Sequence, residues 1–372
     1  NEILIDNPNS SRLINVAKIS GRNKKGLGIG IMNALTAPSY ATIQNNEDGS
    51  TRQTQTNPLV NYNIISFDKN LKFNRSIYLI NLNTSRMDKY EDANVTAAGG
   101  NFISKNSKYS VTGDVKISQT DTNLLNNFTR VNENDGSSYS VSFGKIKGNF
   151  KYRLSSENKS PNYNPNDLGL NFTTNIRTHS LNLQYNKYNP FWILNASYNN
   201  FTVTAEQDYT TNQILKKKYD GRYTFVFPSF NALFVNMSSQ IGDGIDLFES
   251  RVPGQPFIVP EWYFNGLGIS TDYRKKFAFD GDIGFGKGYF TNYISNDYFE
   301  VNGAPIIRFN DKLTLRPSVG YSMFFNGVGF AGYFDDQPKY GVRDVRTLTN
   351  IFQGKYMFKN NLSLTVRVRH YW

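Results

Sequence analysis

The stretch that decides the fold is Asn361–Trp372, NLSLTVRVRHYW, in which apolar and polar side chains alternate almost without error. Val366 and Val368 share one parity, whereas Arg367 and Arg369 hold the other. Because successive side chains of a strand point to opposite faces, this segment has one apolar and one basic face. Repeated along a chain, such alternation is typical of a transmembrane β-barrel, which is apolar toward lipid and polar toward its lumen.

The same pattern recurs along the whole chain. Most segments have about ten residues or more, enough for a tilted strand to cross a bilayer. The predicted strands lie near 12–21, 27–40, 59–69, 73–85, 94–104, 108–118, 137–146, 148–158, 171–186, 191–205, 215–226, 231–242, 261–273, 277–290, 298–309, 313–325, 342–357 and 362–372. The predicted lipid face includes Val111, Val115, Tyr152, Leu183, Leu315, Val366 and Val368. The sequence therefore predicts an all-β fold, a transmembrane antiparallel β-barrel of about 18 visible strands.

Composition excludes several classes of protein. The chain has 372 residues, 15% of them aromatic, and no cysteine. No apolar run approaches the roughly 18 residues that a membrane helix needs, so a helical membrane protein is excluded. The lack of cysteine excludes thiolate metal sites and cysteine nucleophiles. Net charge is +11, but the Lys and Arg residues are scattered among strands and turns, so we expect no nucleic-acid partner.

The predicted connections alternate between short turns, such as 359–361, and long loops, such as 158–170. Bacterial barrels place short turns in the periplasm and long loops outside, which puts both ends of this chain at the extracellular edge. Complete barrels normally have both termini in the periplasm. We therefore expect residues 1–372 to be a single barrel domain that is part of a larger barrel, with strands missing at each end. Trp372 is then an interfacial aromatic; the alternative is a terminal signal for barrel assembly.

A set of cations falls on the predicted lumen parity. These residues could line an anion-attracting pathway. The equally weighted alternative is that they form ion pairs with an inserted loop or a plug. The set comprises Lys116, Lys151, Arg153, Arg316, Arg367 and Arg369.

Catalytic signals are weak. The chain has two histidines, His179 and His370. Ser180 follows His179, but neighbours on a strand point to opposite faces, so this pair cannot form a relay by itself. Gly26–Gly30, GLGIG, lies within a predicted strand and not between a strand and a helix, so it fails the context of a phosphate-binding loop. We predict no catalytic residues and no cofactor.

Acidic clusters offer a second, weak possibility. Asn45–Gly49, Asn132–Gly136 and the pair Asp335–Asp336 are rich in oxygen ligands that can hold calcium. Solvated turns that use glycine for positive φ are the simpler interpretation. Asp280 and Asp282 share the lumen face, where hydration or pairing with arginine is favoured over acid–base chemistry. We predict no metal site.

Three stretches of this sequence resemble a known family. They are Leu13–Leu35, continuing through TAPSYATI, then Pro161–Leu170, PNYNPNDLGL, and Tyr340–Trp372. They are similar to the C-terminal outer-membrane barrel of a Bacteroidetes family of unknown function. Members often carry an N-terminal module similar to family-nine carbohydrate-binding modules. The resemblance covers essentially the whole chain and brings no established catalytic residues.

These observations lead to a functional expectation. The chain is expected to be a non-enzymatic barrel in the bacterial outer membrane, acting as a channel or as a scaffold subunit of an envelope complex. Its expected partners are outer-membrane lipid and lipopolysaccharide, with possible protein partners. The alternative is the barrel of a nutrient-uptake system, perhaps for glycans, in which long aromatic loops such as Pro260–Trp262 contact ligand. A membrane-embedded hydrolase is a lesser alternative.

Overall fold

The computed structural model describes residues 2–87, 90–121, 135–252, 254–289 and 295–372. Within them the chain folds into 23 strands. No helix in this described part is long and apolar enough to cross a membrane. The strands are β1 (Glu2–Asp6), β2 (Leu13–Arg22), β3 (Leu27–Thr36), β4 (Ser39–Asn45), β5 (Thr51–Asn57), β6 (Val60–Leu71), β7 (Arg75–Arg86), β8 (Asp92–Ile103), β9 (Tyr109–Asp121), β10 (Gly136–Lys145), β11 (Phe150–Lys159), β12 (Ile176–Lys187), β13 (Ala196–Asp208), β14 (Ile214–Val226), β15 (Ala232–Gln240), β16 (Gly244–Asp246), β17 (Phe257–Val259), β18 (Trp262–Ser270), β19 (Phe277–Tyr289), β20 (Ser295–Arg308), β21 (Leu313–Phe334), β22 (Gln337–Lys359) and β23 (Leu362–Tyr371).

Eighteen of these strands belong to one large antiparallel sheet with barrel topology. The predicted all-β class and strand number are therefore confirmed. Each of the eighteen predicted segments corresponds to one strand of the sheet, because the period-2 alternation that defined them also directs every second side chain to one face. The remaining strands form a three-stranded sheet of β1, β4 and β5 and a small hairpin of β16 and β17.

The boundaries differ from prediction where a strand changes partner or a loop is itself a hairpin. The predicted strand 27–40 ends at Thr36, and the chain then enters β4 of the small sheet. The region 326–341 continues the ladder of β21 and β22 instead of forming a loop. Asp335 and Asp336 make the tight turn of that hairpin, and both have positive φ. Turn chemistry therefore explains this acidic pair.

The first and last strands of the large sheet are exposed along their whole length. β2 has a defined register with β3, and β23 has one with β22. All ten residues of β2 and all ten of β23 are exposed, unlike those of any other strand in this sheet. The expected larger barrel, with further strands beyond this chain, stays a prediction.

The chain divides into two compact units, which are described separately. Unit 1 comprises residues 1–146, 155–178 and 208–212, and unit 2 comprises residues 147–154, 179–207 and 213–372. In unit 1, Leu13 pairs with Thr36, at the strand end that leads into a long connection. In unit 2, Tyr371 pairs with Thr349, at the opposite end of β23 from the turn at 360–361. Both placements agree with the predicted direction of the terminal strands.

Cross-strand registers define two faces, which we name the apolar face and the polar face. In unit 2, Val366 stands opposite Gly354, which stands opposite Leu315. Arg367, Gln353 and Arg316 form the corresponding row on the other face. The apolar face is thus the one that carries Leu315 and Val366, and the polar face carries Arg316 and Arg367.

In unit 1, the apolar face is the one that carries Val111 and Val115 of β9. Val115 is 53% exposed and Val368 of unit 2 is 58% exposed, and Val111 and Val366 are exposed as well. The predicted lipid-face residues Tyr152, Leu183 and Leu315 are half-buried.

The turn between β18 and β19 yields a prediction about pH. Two hydrogen bonds from the Arg274 side chain, and one from its backbone N–H, lower the pKa of Asp272 to about 2. Because the folded-state pKa lies below the ordinary value of 3.8, this stabilisation is present above about pH 4 and is lost as the pH falls toward 2. Asp272→Asn should therefore lower the free energy of unfolding at pH 7 but not at pH 2, as measured by denaturant titration in detergent micelles. Asp311→Asn, in another exposed turn, is the control. A deficit that persists unchanged at pH 2 would contradict this explanation.

Candidate functional site

The predicted lumen cations are not brought together into one cluster. Lys116 lies in unit 1, where its Nζ is 2.5 Å from the Asp114 carboxylate. Lys151 donates to the Tyr188 hydroxyl at 3.0 Å in unit 2. Arg153 lies two residues farther along β11 and is exposed. Because the Lys116 ammonium group is paired with a neighbouring carboxylate, it does not offer the free positive charge that an anion pathway would need.

The three remaining cations of the set lie on neighbouring strands of unit 2. Arg316 and Arg367 face the same residue, Gln353, from opposite sides. Arg369 stands opposite Ile351, and its guanidinium lies 5.6 Å from the Tyr371 ring centroid. These arginines form a basic strip on the polar face near the last strand. Whether the strip attracts anions remains a prediction.

A loop of residues 160–175 packs on the polar face of unit 1. Asn164 donates its backbone N–H to Ser118 Oγ at 2.9 Å. Asp167 accepts a hydrogen bond and an ion pair from Arg86, and both side chains are only 22% exposed. Tyr163 is 5% exposed, and its burial raises the pKa of the phenol. The loop contains the PNYNPNDLGL motif, so this motif holds a loop against the sheet.

The loop encloses a small apolar cavity of about 250 Å³. Ile80, Leu82 and Val95 point into it from the sheet, and Pro165 and Leu168 cover it from the loop. These aliphatic residues belong to the polar face, where alternation alone predicts hydrophilic side chains. Burial under the loop explains them, because apolar side chains are stabilised by removal from water.

On the apolar face, at the same level along the strands, the side chains are asparagines and not aliphatic residues. Asn33, Asn63, Asn83 and Asn94 stand in register across β3, β6, β7 and β8. Asn33 Nδ2 donates to Asn63 Oδ1 at 2.8 Å. We name this set the amide row. Nearer the short turns, the same face carries Ile31, Ile65 and Leu79, each exposed.

The polarity of both faces therefore inverts along the strands of unit 1. Below the inversion the apolar face carries aliphatic residues, and above it the amide row. The polar face of β6 changes in the opposite sense, from Asp68 and Ser66 to Ile64, which stands opposite Leu82. Sequence reasoning missed the inversion, although the change from Ile77 and Leu79 to Asn81 and Asn83 at one parity is visible in the sequence.

A cavity of about 690 Å³ lies on the polar face of unit 2. Registers place Trp262 and Phe264 of β18 beside Gly288 and Gly286 of β19, so the rings stand next to positions without side chains. Tyr298 continues the row on β20. The aromatic lining comprises Phe257, Trp262, Phe264, Tyr298 and Phe324, and the charged side chains that line it include Asp246, Glu249, Glu300 and Arg343.

The connection from β15 to β18 covers this cavity. Gln240, 3% exposed, donates Nε2 to the carbonyls of Val259 and Pro260, each at 3.1 Å. The Phe257 ring lies 4.8 Å from that of Tyr340. The Phe330 N–H donates to Glu249 Oε1 at 2.7 Å. These contacts anchor the short β16–β17 hairpin to both the sheet and the β21–β22 extension.

The remaining acidic residues have ordinary structural partners. Asp280 accepts hydrogen bonds from Ser270 and Tyr273, and Asp282 accepts one from Asn302, so neither is paired with arginine by a described contact. In the 45–49 turn, Asp48 accepts from the backbone and hydroxyl of Ser50. Turn chemistry accounts for that cluster.

The remaining weak candidates are the 132–136 cluster and the two histidines. The 132–136 cluster lies largely outside the described residues. His179 is exposed, and the His370 ring lies 6.4 Å from that of Trp372. Within the described ranges, no group of three His, Cys, Asp or Glu side chains is arranged to hold a metal ion.

Leu27–Gly30 of the GLGIG sequence lie in strand β3, whereas Gly26 lies in the preceding turn and has positive φ. A Cβ at Gly28 would collide with the Asp68 carboxylate, which pairs with Arg22 at 2.5 Å. The glycine therefore makes room for an ion pair on the polar face.

Comparison with known families assigns the whole chain. The model of the family described as a domain of unknown function, DUF5916, matches residues 1–372. The chain therefore belongs to this family. No curated protein matches the sequence.

The loop contact in unit 1 yields a second prediction. Asp167→Asn leaves the Arg86 guanidinium in a poorly solvated position without its carboxylate, which should cost about 3–5 kcal/mol locally if the site behaves as a buried pair. Limited proteolysis should then cut within 160–175 much faster than in the unsubstituted protein. The control is Glu2→Gln, which breaks an exposed ion pair with Arg52 and should leave the rate of cleavage within 160–175 unchanged, because exposed ion pairs contribute little to stability. Equal cleavage rates for Asp167→Asn and the unsubstituted protein would show that the pair does not hold the loop.

Proposed function

We propose that this chain is a non-enzymatic integral β-barrel of the bacterial outer membrane, acting as a channel or as a scaffold subunit of an envelope complex. The observation that carries the proposal is the apolar face, on which aliphatic side chains remain exposed in strand after strand. Ile65 and Leu79 of unit 1 and Leu267 and Val319 of unit 2 are each more than two-fifths exposed. Monomeric soluble proteins rarely leave a contiguous apolar patch of more than a few hundred Å² in water.

The polarity inversion supports a boundary between lipid and water. In the proposed orientation, Ile65 and Leu79 contact lipid tails, and the amide row lies nearer the headgroups. Asn94 of this row is buried, but the half-buried amides of Asn33, Asn63 and Asn83 can hydrogen-bond to phosphates and sugars, so lipopolysaccharide and outer-membrane lipid are the proposed partners. The 160–175 loop buries the aliphatic residues beneath it, so these side chains are removed from water without contact with lipid.

The loops on the polar face favour a narrowed lumen over a wide water-filled pore. The 160–175 loop covers part of that face in unit 1, and the β15–β18 connection covers part of it in unit 2. A barrel of about 18 strands leaves a lumen that needs such filling if it is not to conduct freely. The arginine strip of Arg316, Arg367 and Arg369 is proposed to face this lumen. No nucleic-acid partner is proposed.

The narrower family assignment belongs to the same proposal. The resemblance of the three motifs supports a Bacteroidetes origin and an association with carbohydrate-binding modules of the family-nine type. A role in the uptake of nutrients, such as glycans, is the second candidate function. The specific observation in its favour is that Pro260 and Trp262 line the cavity of about 690 Å³ in unit 2.

Site-directed spin labelling tests the proposed orientation. The chain has no cysteine, so Val115→Cys and Thr112→Cys each provide a unique labelling site on β9, one on each face. In protein reconstituted into liposomes, the label at 115 should be more accessible to oxygen than to a water-soluble nickel complex. The label at 112 should show the opposite preference, because oxygen concentrates in lipid. Water-like accessibility at both positions would contradict the membrane location.

A further inference from the structure

We propose that the large cavity of unit 2 binds an organic cation, an ammonium or guanidinium group on an apolar body. The cavity holds about 690 Å³, a volume typical of small-molecule sites. Its walls combine aromatic rings with convergent carboxylates, the two groups that recognise organic cations. The inference rests on the geometry of unit 2 and not on the membrane location.

The charge of the lining favours a cation. The carboxylates of Asp246, Glu249 and Glu300 line the cavity, against one guanidinium, that of Arg343. Lys287 also borders the cavity, but it shares the apolar-face parity with Asp297, and its Nζ lies 3.6 Å from that carboxylate. Its charge is therefore directed away. The lining is net negative in a chain whose total charge is +11.

The carboxylates keep acceptor capacity for a ligand. Glu249 uses Oε1 for the Phe330 N–H. Glu300 uses Oε2 for the Tyr298 hydroxyl at 2.7 Å. A carboxylate has about four lone-pair sites, so each can accept further hydrogen bonds from an ammonium or guanidinium group. A charge-assisted hydrogen bond of this kind is roughly twice as strong as a neutral one.

The aromatic wall supplies the second recognition element. A cation over the face of Trp, Tyr or Phe is attracted by the ring quadrupole, most strongly for Trp and more strongly where water is excluded. The Trp262 ring already has one such neighbour, because Lys218 Nζ lies 5.3 Å from its centroid. Phe264, Tyr298 and Phe324 extend the aromatic surface into the cavity. A neutral sugar could stack on these rings and donate hydroxyl hydrogen bonds to the carboxylates, but only a cation would also neutralise the net negative charge of the lining.

Isothermal titration calorimetry of the whole protein in detergent micelles tests the proposal. The probes are choline and agmatine, the neutral choline isostere 3,3-dimethylbutan-1-ol, and maltose. At least one of the two cations should bind, and choline, if it binds, at least tenfold more tightly than its isostere. If neither cation binds, or if the isostere matches choline, the proposal is overturned. Tighter binding of maltose than of either cation would also overturn it, in favour of a saccharide site.

Two substitutions locate the binding site. Glu300→Gln and Glu249→Gln keep the side-chain shape and an acceptor oxygen, so the contacts to Tyr298 and Phe330 can persist. Each should weaken cation binding about five- to tenfold. Asp280→Asn removes a carboxylate from the same face outside this cavity and should change binding less than twofold. Equal effects of Asp280→Asn and Glu300→Gln would indicate diffuse electrostatic attraction instead of a site.

Discussion

Hydrogen bonding between neighbouring strands is the constraint on which the rest of this structure depends. Along eighteen strands, the backbone N–H and C=O groups pair with those of adjacent strands in antiparallel register. In the proposed outer-membrane location this pairing is obligatory, because lipid offers no partner to a backbone group. It also fixes which side chains share a face. The row of Arg316, Gln353 and Arg367 and the opposite row of Leu315, Gly354 and Val366 both follow from it.

The most exposed strands of the large sheet are β2 and β23. All residues of both strands are exposed, and registers are defined between β2 and β3 and between β22 and β23. An unpaired edge is a template for further pairing in any sheet, and in lipid it is costly. Strands or partners that pair with these two strands would therefore contribute strongly to stability in the proposed larger barrel. Protein partners of an envelope complex are one chemical solution, and flanking strands are another.

Much of the fold could be predicted from the sequence, because alternation at period 2 is a local property. Asn361–Trp372 shows it directly, and β23 follows the predicted segment to within one residue. The β21–β22 extension was wrongly expected to be a loop, because its glycine-rich and acidic sequence suggests turns more than strand. The two lumen-facing loops could not be predicted, because alternation carries no information about which surface a long loop covers. The sign of such a loop in the sequence is that Ile80 and Leu82 are apolar at positions where alternation predicts polar side chains.

The candidate sites were predictable in part for a similar reason. Alternation in the sequence places three arginines, Arg316, Arg367 and Arg369, on one face. The cross-strand registers of the structure agree with this placement. The large cavity combines residues from a loop and from several strands, and only tertiary structure brings Glu249 beside Glu300 and Trp262. The sequence singled out the Pro260–Trp262 segment as part of an aromatic loop, but nothing in it indicated that Asp246, Glu249 and Glu300 line the same cavity. The amide row required knowledge of four registers at once.

The central claim is that the apolar face contacts lipid up to the polarity inversion and no farther. The most direct measurement compares the free energy of folding into lipid bilayers for Leu79→Arg and Ser85→Arg, which lie on the same face of β7 on opposite sides of the inversion. Leu79→Arg should cost about 2–4 kcal/mol, and Ser85→Arg about 0–1 kcal/mol, because the cost of arginine falls from the midplane to the interface. Equal costs at the two positions would contradict the account.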